Sequence, residues 1–227
     1  MHLAVDARVL VHRPTGVARY LAGILRAFPA FRQPGDTLEL LVDRPPAAPL
    51  PGEPDRVTVL RCPLPGGDPV WRQLRLPLHL WRDRPDLLFC PFYSAPLVSF
   101  CPTVVTVHDV SFAAHPEWFT RRARLAFSLV GPSARRAGRV LTDSAFSARE
   151  LERLLKVPSA GIQVIPIGLD DRWRVPVSSE ERQEARSWLG FEGPFLLHLG
   201  AVHTRRYPEL LLRAFARLAE DRPDVRL

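Results

Sequence analysis

Short runs rich in Val, Leu and Ile recur along the chain at 3–6, 38–43, 57–61, 86–90, 103–107, 139–143, 162–165 and 195–199. Each is too short for a helix and nearly continuous in apolar character, as expected of a strand covered on both faces. Between most of them the spacing changes to the i, i+3, i+4, i+7 recurrence of an amphipathic helix. Val17, Tyr20, Leu21, Ile24, Leu25 and Phe28 show it over 16–28, and further helices are predicted at 70–82, 119–137, 145–156, 179–189 and 208–220. Strands alternating with helices predict an α/β fold with a mainly parallel, doubly wound sheet. The segments 44–55 and 63–69, dense in Pro and Gly, read as surface loops.

The pattern breaks at Pro166-Ile167-Gly168-Leu169-Asp170, where a strand runs into a charged stretch at 171–185. This predicts a first domain over 1–168, a linker over 169–185 and the start of a second domain over 186–227, where Val225-Arg226-Leu227 opens one more strand. One βα unit and a stub cannot close a core, because a parallel strand needs neighbours and helices on both faces. The chain is therefore expected to stop inside its second domain.

Of the 227 residues, 46% are hydrophobic, enough for a sizeable core. No apolar run approaches the roughly 18–20 residues that span a bilayer, and the start lacks the basic-then-apolar pattern of a secretion signal. A cytoplasmic protein is expected. Cys62, Cys90 and Cys101 are odd in number and lack CxxC spacing, so they read as reduced and structural. A net charge of +7 could attract polyanions. However, arginine supplies nearly all of the positive charge, Lys156 being the one lysine, which also fits a biased composition. No helix-turn-helix, zinc-ligand set or aromatic RNA platform accompanies the charge, so nucleic acid is not an expected partner.

Candidate chemistry gathers where strands meet helices. Thr15 is a plausible N-cap of the helix from Gly16, and the backbone N–H groups of Gly16 and Val17, with the helix dipole, would suit a phosphate. A glycine that only eases the turn fits equally well. His108 follows strand 103–107 at its carboxyl end, the edge where open α/β sheets bind ligands. There it could donate to a sugar hydroxyl, or simply bond to a loop. Arg205 and Arg206 follow 195–199 just ahead of a helix, where guanidinium forks could grip phosphate oxygens or lie solvated. Trp71, Leu74, Leu78 and Trp81 fit a core-facing stripe, although the neighbouring arginines would also suit an anionic membrane or a lipid-linked acceptor. Pro77 interrupts any long helix here. The histidines are scattered and no DxD pair appears, so no metal or other cofactor is expected.

Five stretches together resemble one family: Asp6-Ala7-Arg8 with Thr15-Gly16-Val17-Ala18-Arg19-Tyr20; Val105-Thr106-Val107-His108-Asp109-Val110-Ser111-Phe112; Thr142-Asp143-Ser144-Ala145-Phe146-Ser147; Val164-Ile165-Pro166-Ile167-Gly168-Leu169-Asp170; and Leu199-Gly200-Ala201-Val202-His203-Thr204-Arg205-Arg206. In this order the chain resembles the retaining glycosyltransferases of family 4. The resemblance implies a GT-B architecture, with a Rossmann-like N-terminal domain on a parallel sheet and the beginning of a second Rossmann-like domain. It implies transfer of a sugar from a nucleotide-sugar donor to a glycan or lipid-linked acceptor with retention. It assigns His108 and Asp109 to the catalytic region and Gly16, Val17, Arg205 and Arg206 to the donor diphosphate. Asp6, Arg8, Arg19 and Ser144 take supporting places, where structural hydrogen bonding is favoured over catalysis for Asp6, Arg8 and Ser144. The chain departs from the pattern at Ile167, where Asn is common, and at Tyr207, where Asn or Gly is common. The family's paired glutamates lie later in the second domain, and neither Glu209 nor Glu220 matches them. This chain alone is therefore expected to lack turnover, and a peripheral membrane contact is open. A different class also remains open: a binding module for a phosphorylated ligand or protein partner, without catalysis.

Overall fold

The computed structural model describes residues 1–12, 15–62, 67–200 and 206–227, in two compact units, Met1–Ile167 and Gly168–Leu227. The first unit is built on seven strands: β1 His2–Asp6, β2 Thr37–Val42, β3 Arg56–Val59, β4 Leu87–Cys90, β5 Thr103–Thr106, β6 Arg139–Thr142 and β7 Ile162–Val164. All pair in parallel, in the order β3-β2-β1-β4-β5-β6-β7. The chain winds outward from β1 through β2 to β3, then returns to the other side of β1 with β4. That reversal creates a crevice at the carboxyl ends of β1 and β4, the usual ligand position in open α/β sheets.

Side chains alternate between two cores because successive strand residues face opposite sides of the sheet. Val5, Leu38, Leu40 and Phe89 pack with Leu21 and Leu25 of α1 (Gly16–Ala27) on one side. Ala4, Leu41, Leu88, Val105 and Val140 face the other, under Leu80, Val130 and Leu151. Gly52, with φ +92°, lets the loop after β2 lie against α1: a Cβ there would stand 2.8 Å from the Leu25 carbonyl oxygen.

Local chemistry breaks two expected helices. Residues 67–83 form α2 (Gly67–Val70), a π-helical turn (Trp71–Arg75) and α3 (Leu76–Asp83). Helix thus reaches back into the segment expected as a loop at 63–69. Within the wide turn the Leu76 N–H donates to the Trp71 carbonyl five residues back, and Pro77 has no N–H to offer. The extra residue moves the buried face onto Trp71, Arg72, Leu76, Pro77 and Leu80. It leaves Leu74, Leu78 and Trp81 exposed, which corrects the expected core stripe. The helix expected at 119–137 divides into α5 (Arg121–Phe127) and α6 (Val130–Arg136), after the short α4 (Ser111–Ala114). Pro132 cannot donate to the Ser128 carbonyl, and the Ser128 hydroxyl closes α5 on the Leu125 carbonyl at 2.7 Å.

Helix α7 (Ala145–Leu155) completes the first unit, and the second holds α8 (Ser179–Leu189) and α9 (Pro208–Asp221). Helical structure thus begins within the stretch predicted as a linker. A reciprocal capping box starts α8: Ser178 Oγ accepts from Glu181 N at 3.1 Å, and the Glu181 carboxylate accepts from Ser178 N at 2.9 Å. The strand expected at 195–199 is instead one parallel bridge, Phe195 to Arg226, because residues 225–227 pair with it only there. None of the described residues after Val157 is buried. Cys62, Cys90 and Cys101 are all free thiols.

Leu25 is 1% exposed between α1 and the sheet. Leu25→Ala is expected to cost about 2–5 kcal/mol of stability, read as a lower urea midpoint at unchanged slope. A loss under about 1 kcal/mol would show that α1 does not cover this core.

Candidate active site

Four strand ends meet at the carboxyl edge, and each carries polar groups into the loop that follows. At β1, Asp6 and Arg8 are 5% and 4% exposed. Arg8 Nε and NH2 donate to the two Asp6 carboxylate oxygens, each at 2.8 Å, a planar two-pronged pair. Arg8 NH1 donates to Asp68 at 2.8 Å, and the guanidinium carbon lies 3.8 Å over the Trp71 ring. Trp71 is fixed in turn by its Nε1–H to the Leu60 carbonyl at 2.6 Å. Burial alone would push the Asp6 carboxyl up, but the charge and hydrogen bonds of Arg8 outweigh it and hold Asp6 below the usual carboxylate range. Burial opposes the charge on Arg8 too, and Asp6 and Asp68 more than restore it.

Beside this pair lies a cavity of about 290 Å³ at the switch point, lined by Asp6, Arg8, His12, Thr15, Asp68 and Arg72, with Val17 and Phe92 as apolar wall. The π turn aims Arg72 into it. Arg72 is 9% exposed and donates through NH1 to Ser94 Oγ at 2.9 Å, while its Nε makes no hydrogen bond. A buried guanidinium with spare donors beside two carboxylates suits a polyhydroxylated ligand, whose hydroxyls both donate and accept. Thr15 caps α1, its side chain accepting from Ala18 N at 3.2 Å. Gly16 is exposed, and a Cβ built there would meet nothing within 4 Å, so packing does not require glycine at this position.

Along the edge, His108 Nδ1 stands 2.8 Å from Asp143 Oδ2 and Nε2 stands 3.2 Å from the Pro91 carbonyl. Both partners can only accept. The ring packs edge-on to Tyr20 at 4.9 Å, and Tyr20 OH meets Thr106 Oγ1 at 3.1 Å, tying α1 to β5. Burial pushes the Tyr20 phenol up, keeping it a neutral hydroxyl. Asp109 accepts from Tyr93 OH at 2.6 Å and from Ser111 N at 2.9 Å, so it orders the loop into α4.

Thus Asp6, Arg8 and Val17 line the cavity, whereas His108 and Asp109 lie further along the edge. Arg19 is exposed on α1. Ser144 caps α7 by accepting from Ser147 N at 3.1 Å. Arg206 is exposed in the second unit and packs over Gly200, where a Cβ would collide with its guanidinium. Arg205 lies outside the described residues. Sequence reasoning passed over Asp68, Arg72 and Phe92 in the cavity wall and Asp143 behind His108. Asp68 and Arg72 did carry a signal, an i, i+4 acid–base pair on a helix.

A doubly wound parallel sheet with its polar groups at the switch point defines a Rossmann-like α/β protein. Residues 14–173 match the family model Glycosyltransferase Family 4, and the chain belongs to that family. A 66-residue segment, 29% of this chain, is 44% identical to mannosylfructose-phosphate synthase of Agrobacterium fabrum (strain C58) and covers 14% of that protein. Crystal structures of two proteins overlay on 99% of the chain. One is Anabaena HepE in complex with UDP and glucose (TM-score 0.66, 20% identity). The other is WaaG, a glycosyltransferase involved in lipopolysaccharide biosynthesis (TM-score 0.68, 15% identity). These likenesses are of fold, that of GT-B glycosyltransferases, and the chain spans 59% and 62% of the two proteins' lengths.

The Asp6–Arg8 pair sets a pH signature. Because the folded pKa of Asp6 is depressed, its stabilisation is complete above the unfolded value near 3.9 and is lost as pH falls through the folded one. Asp6→Asn is expected to cost about 3–5 kcal/mol at pH 7, since it leaves Arg8 buried without its carboxylate. Denaturant titrations of both proteins between pH 7 and 3 are expected to converge towards the acid end. A constant difference would contradict the pairing.

Proposed function

We propose that this chain belongs to an enzyme that moves a sugar from a nucleotide-sugar donor to an acceptor hydroxyl with retention at the anomeric carbon. The observation that carries this is the open start of α1 beside a built polar cavity at the switch point, in a family 4 chain. Capture of HepE with UDP and glucose supports a nucleotide-sugar donor.

In this reading the N–H groups of Gly16 and Val17 and the helix dipole meet the charge that grows on the leaving diphosphate. The family resemblance gives Arg205 and Arg206 the same role, so no metal is called on for that charge. The cavity lined by Asp6, Asp68 and Arg72 takes the acceptor, a glycan or the sugar end of a lipid-linked glycan. His108, held through Nδ1 by Asp143, trades its Nε2 contact with the Pro91 carbonyl for one to the donor sugar, and Asp109 positions the loop that carries it. The chain spans 59% and 62% of the lengths of HepE and WaaG, and we assign turnover to a protein of their full length rather than to this chain alone.

Among the described residues no helix is long and apolar enough to cross a membrane. We place the protein in the cytoplasm, in peripheral contact with anionic lipid. Exposed Leu74, Leu78 and Trp81 would provide the apolar footing, with Arg82 beside them. Trp81→Ala with Arg82→Gln is expected to lower partitioning onto anionic liposomes several-fold, and unchanged partitioning would remove this contact.

Gly16→Ala separates ligand from scaffold. The protein has room for the methyl group, and alanine is favoured over glycine in a helix by roughly 0.5–1 kcal/mol, so thermal stability should hold or rise. In the enzyme expressed from the full reading frame, nucleotide-sugar affinity and kcat/KM should fall at least about tenfold, because the methyl intrudes on the diphosphate. Unchanged kinetics would remove α1 from the donor site. Absence of both nucleotide binding and sugar transfer in the unaltered enzyme would instead favour the binding module.

A further inference from the structure

The opposite, amino-terminal edge of the sheet holds a second polar cluster that the proposed transfer does not use. His2 opens β1, Glu39 lies on β2, and His79 and Asp83 stand one turn apart on α3. Glu39 is a carboxylate whose side chain is 1% exposed, so it demands positive partners. Its Oε2 stands 3.3 Å from His2 Nε2 and 3.4 Å from His79 Nε2. Asp83 Oδ2 stands 3.8 Å from His2 Nε2 and 3.9 Å from His79 Nε2. The His2 ring nitrogen and the Glu39 and Asp83 carboxylates thus lie within 4.8 Å of one another, brought together from three elements that are far apart in sequence.

The spacing matches a known chemistry. A tetrahedral ion with ligand bonds of about 2.0–2.2 Å keeps its ligand atoms roughly 3.3–3.6 Å apart, so small inward movements would close His2, Glu39 and Asp83 around one ion, with water in the fourth position. Imidazole favours zinc and its transition-metal neighbours over magnesium or calcium. The charge also fits: two carboxylates balance one divalent cation, whereas the cluster holds a single permanent positive charge, Arg56. Arg56 NH2 bonds Glu39 Oε2 at 2.9 Å and also Asp83 Oδ2, so a cationic nitrogen already stands between the two carboxylates. The Arg56 side chain is 48% exposed and can withdraw into solvent. The Thr58 hydroxyl donates to Glu39 Oε1, holding the carboxylate while leaving Oε2 to face the cluster.

We propose that His2, Glu39 and Asp83 form a site for a zinc-class divalent cation, with His79 steadying the Glu39 carboxylate and Arg56 standing in for the ion when metal is absent. At the amino edge, the ion would clamp β1, β2 and α3 without touching the sugar chemistry.

The test is titration of chelator-treated protein, without an N-terminal tag, with Co²⁺ and then Zn²⁺. One equivalent of Co²⁺ is expected to give the intense visible absorption of a tetrahedral site, Zn²⁺ to displace it, and the melting temperature to rise. His2→Ala and Asp83→Asn should each weaken binding at least about tenfold. Arg56→Gln should tighten it by removing the competing charge. No one-equivalent binding at tens of micromolar metal would overturn the site. Binding that survives Asp83→Asn would do the same, marking an adventitious ion held by the amino terminus and His2. Failure of Arg56→Gln to tighten binding would overturn the exchange of arginine for metal. None of these readings depends on sugar transfer.

Discussion

A guanidinium taken out of water must be met at its donors and at its charge, and Arg8 is met at both. Asp6 takes two of its N–H groups in one plane, Asp68 takes another, and the Trp71 ring covers its face. These partners come from the end of β1, the start of α2 and the π turn, so one side chain fixes three pieces of chain. Through Trp71 the arrangement also reaches Leu60, beyond the end of β3. The loop into α1 thus leaves from a rigid point, and Arg72 follows Trp71 into the cavity. Breaking the pair would leave a buried charge, which is why the edge keeps its shape.

The sheet gives its two edges different work. At the carboxyl edge, topology opens a crevice between β1 and β4, and loops there carry groups with unused bonding capacity: Arg72 Nε, Asp143 Oδ1 and the open start of α1. At the amino edge, polar groups are drawn inward around one buried carboxylate, Glu39. Buried groups with spare bonds suit a ligand that comes and goes, while closed contacts suit a lasting structural role.

The sheet was legible because both-face burial writes a strand as a short apolar run, and every predicted strand of the first unit is present within two residues. The helix breaks were harder to read. Pro77 and Pro132 announce missing donors, but sequence does not say whether the backbone answers with a wide turn or a gap. The wide turn moved burial from Leu74, Leu78 and Trp81 to Arg72, Leu76 and Leu80, and so hid a site arginine inside an apparent core stripe. Around the site, Gly16 was singled out from its place at the head of a helix, His108 from the end of β5 and Asp109 from the family resemblance. Asp143 was hidden because its role comes from β6 lying beside β5, and His2 and His79 because they meet only through the fold. At 195–199 the apolar run was read correctly, but a strand also needs a partner along its length, and only Phe195 has one among the described residues.

Hydrogen–deuterium exchange of the enzyme expressed from the full reading frame, with and without saturating nucleotide-sugar, tests the central claim most directly. Protection is expected at the start of α1, residues 15–20, and at 107–111 around His108, with exchange unchanged at the amino edge near His2 and Glu39. Saturated binding that leaves both of those segments unprotected would contradict the assignment of the carboxyl edge as the donor site.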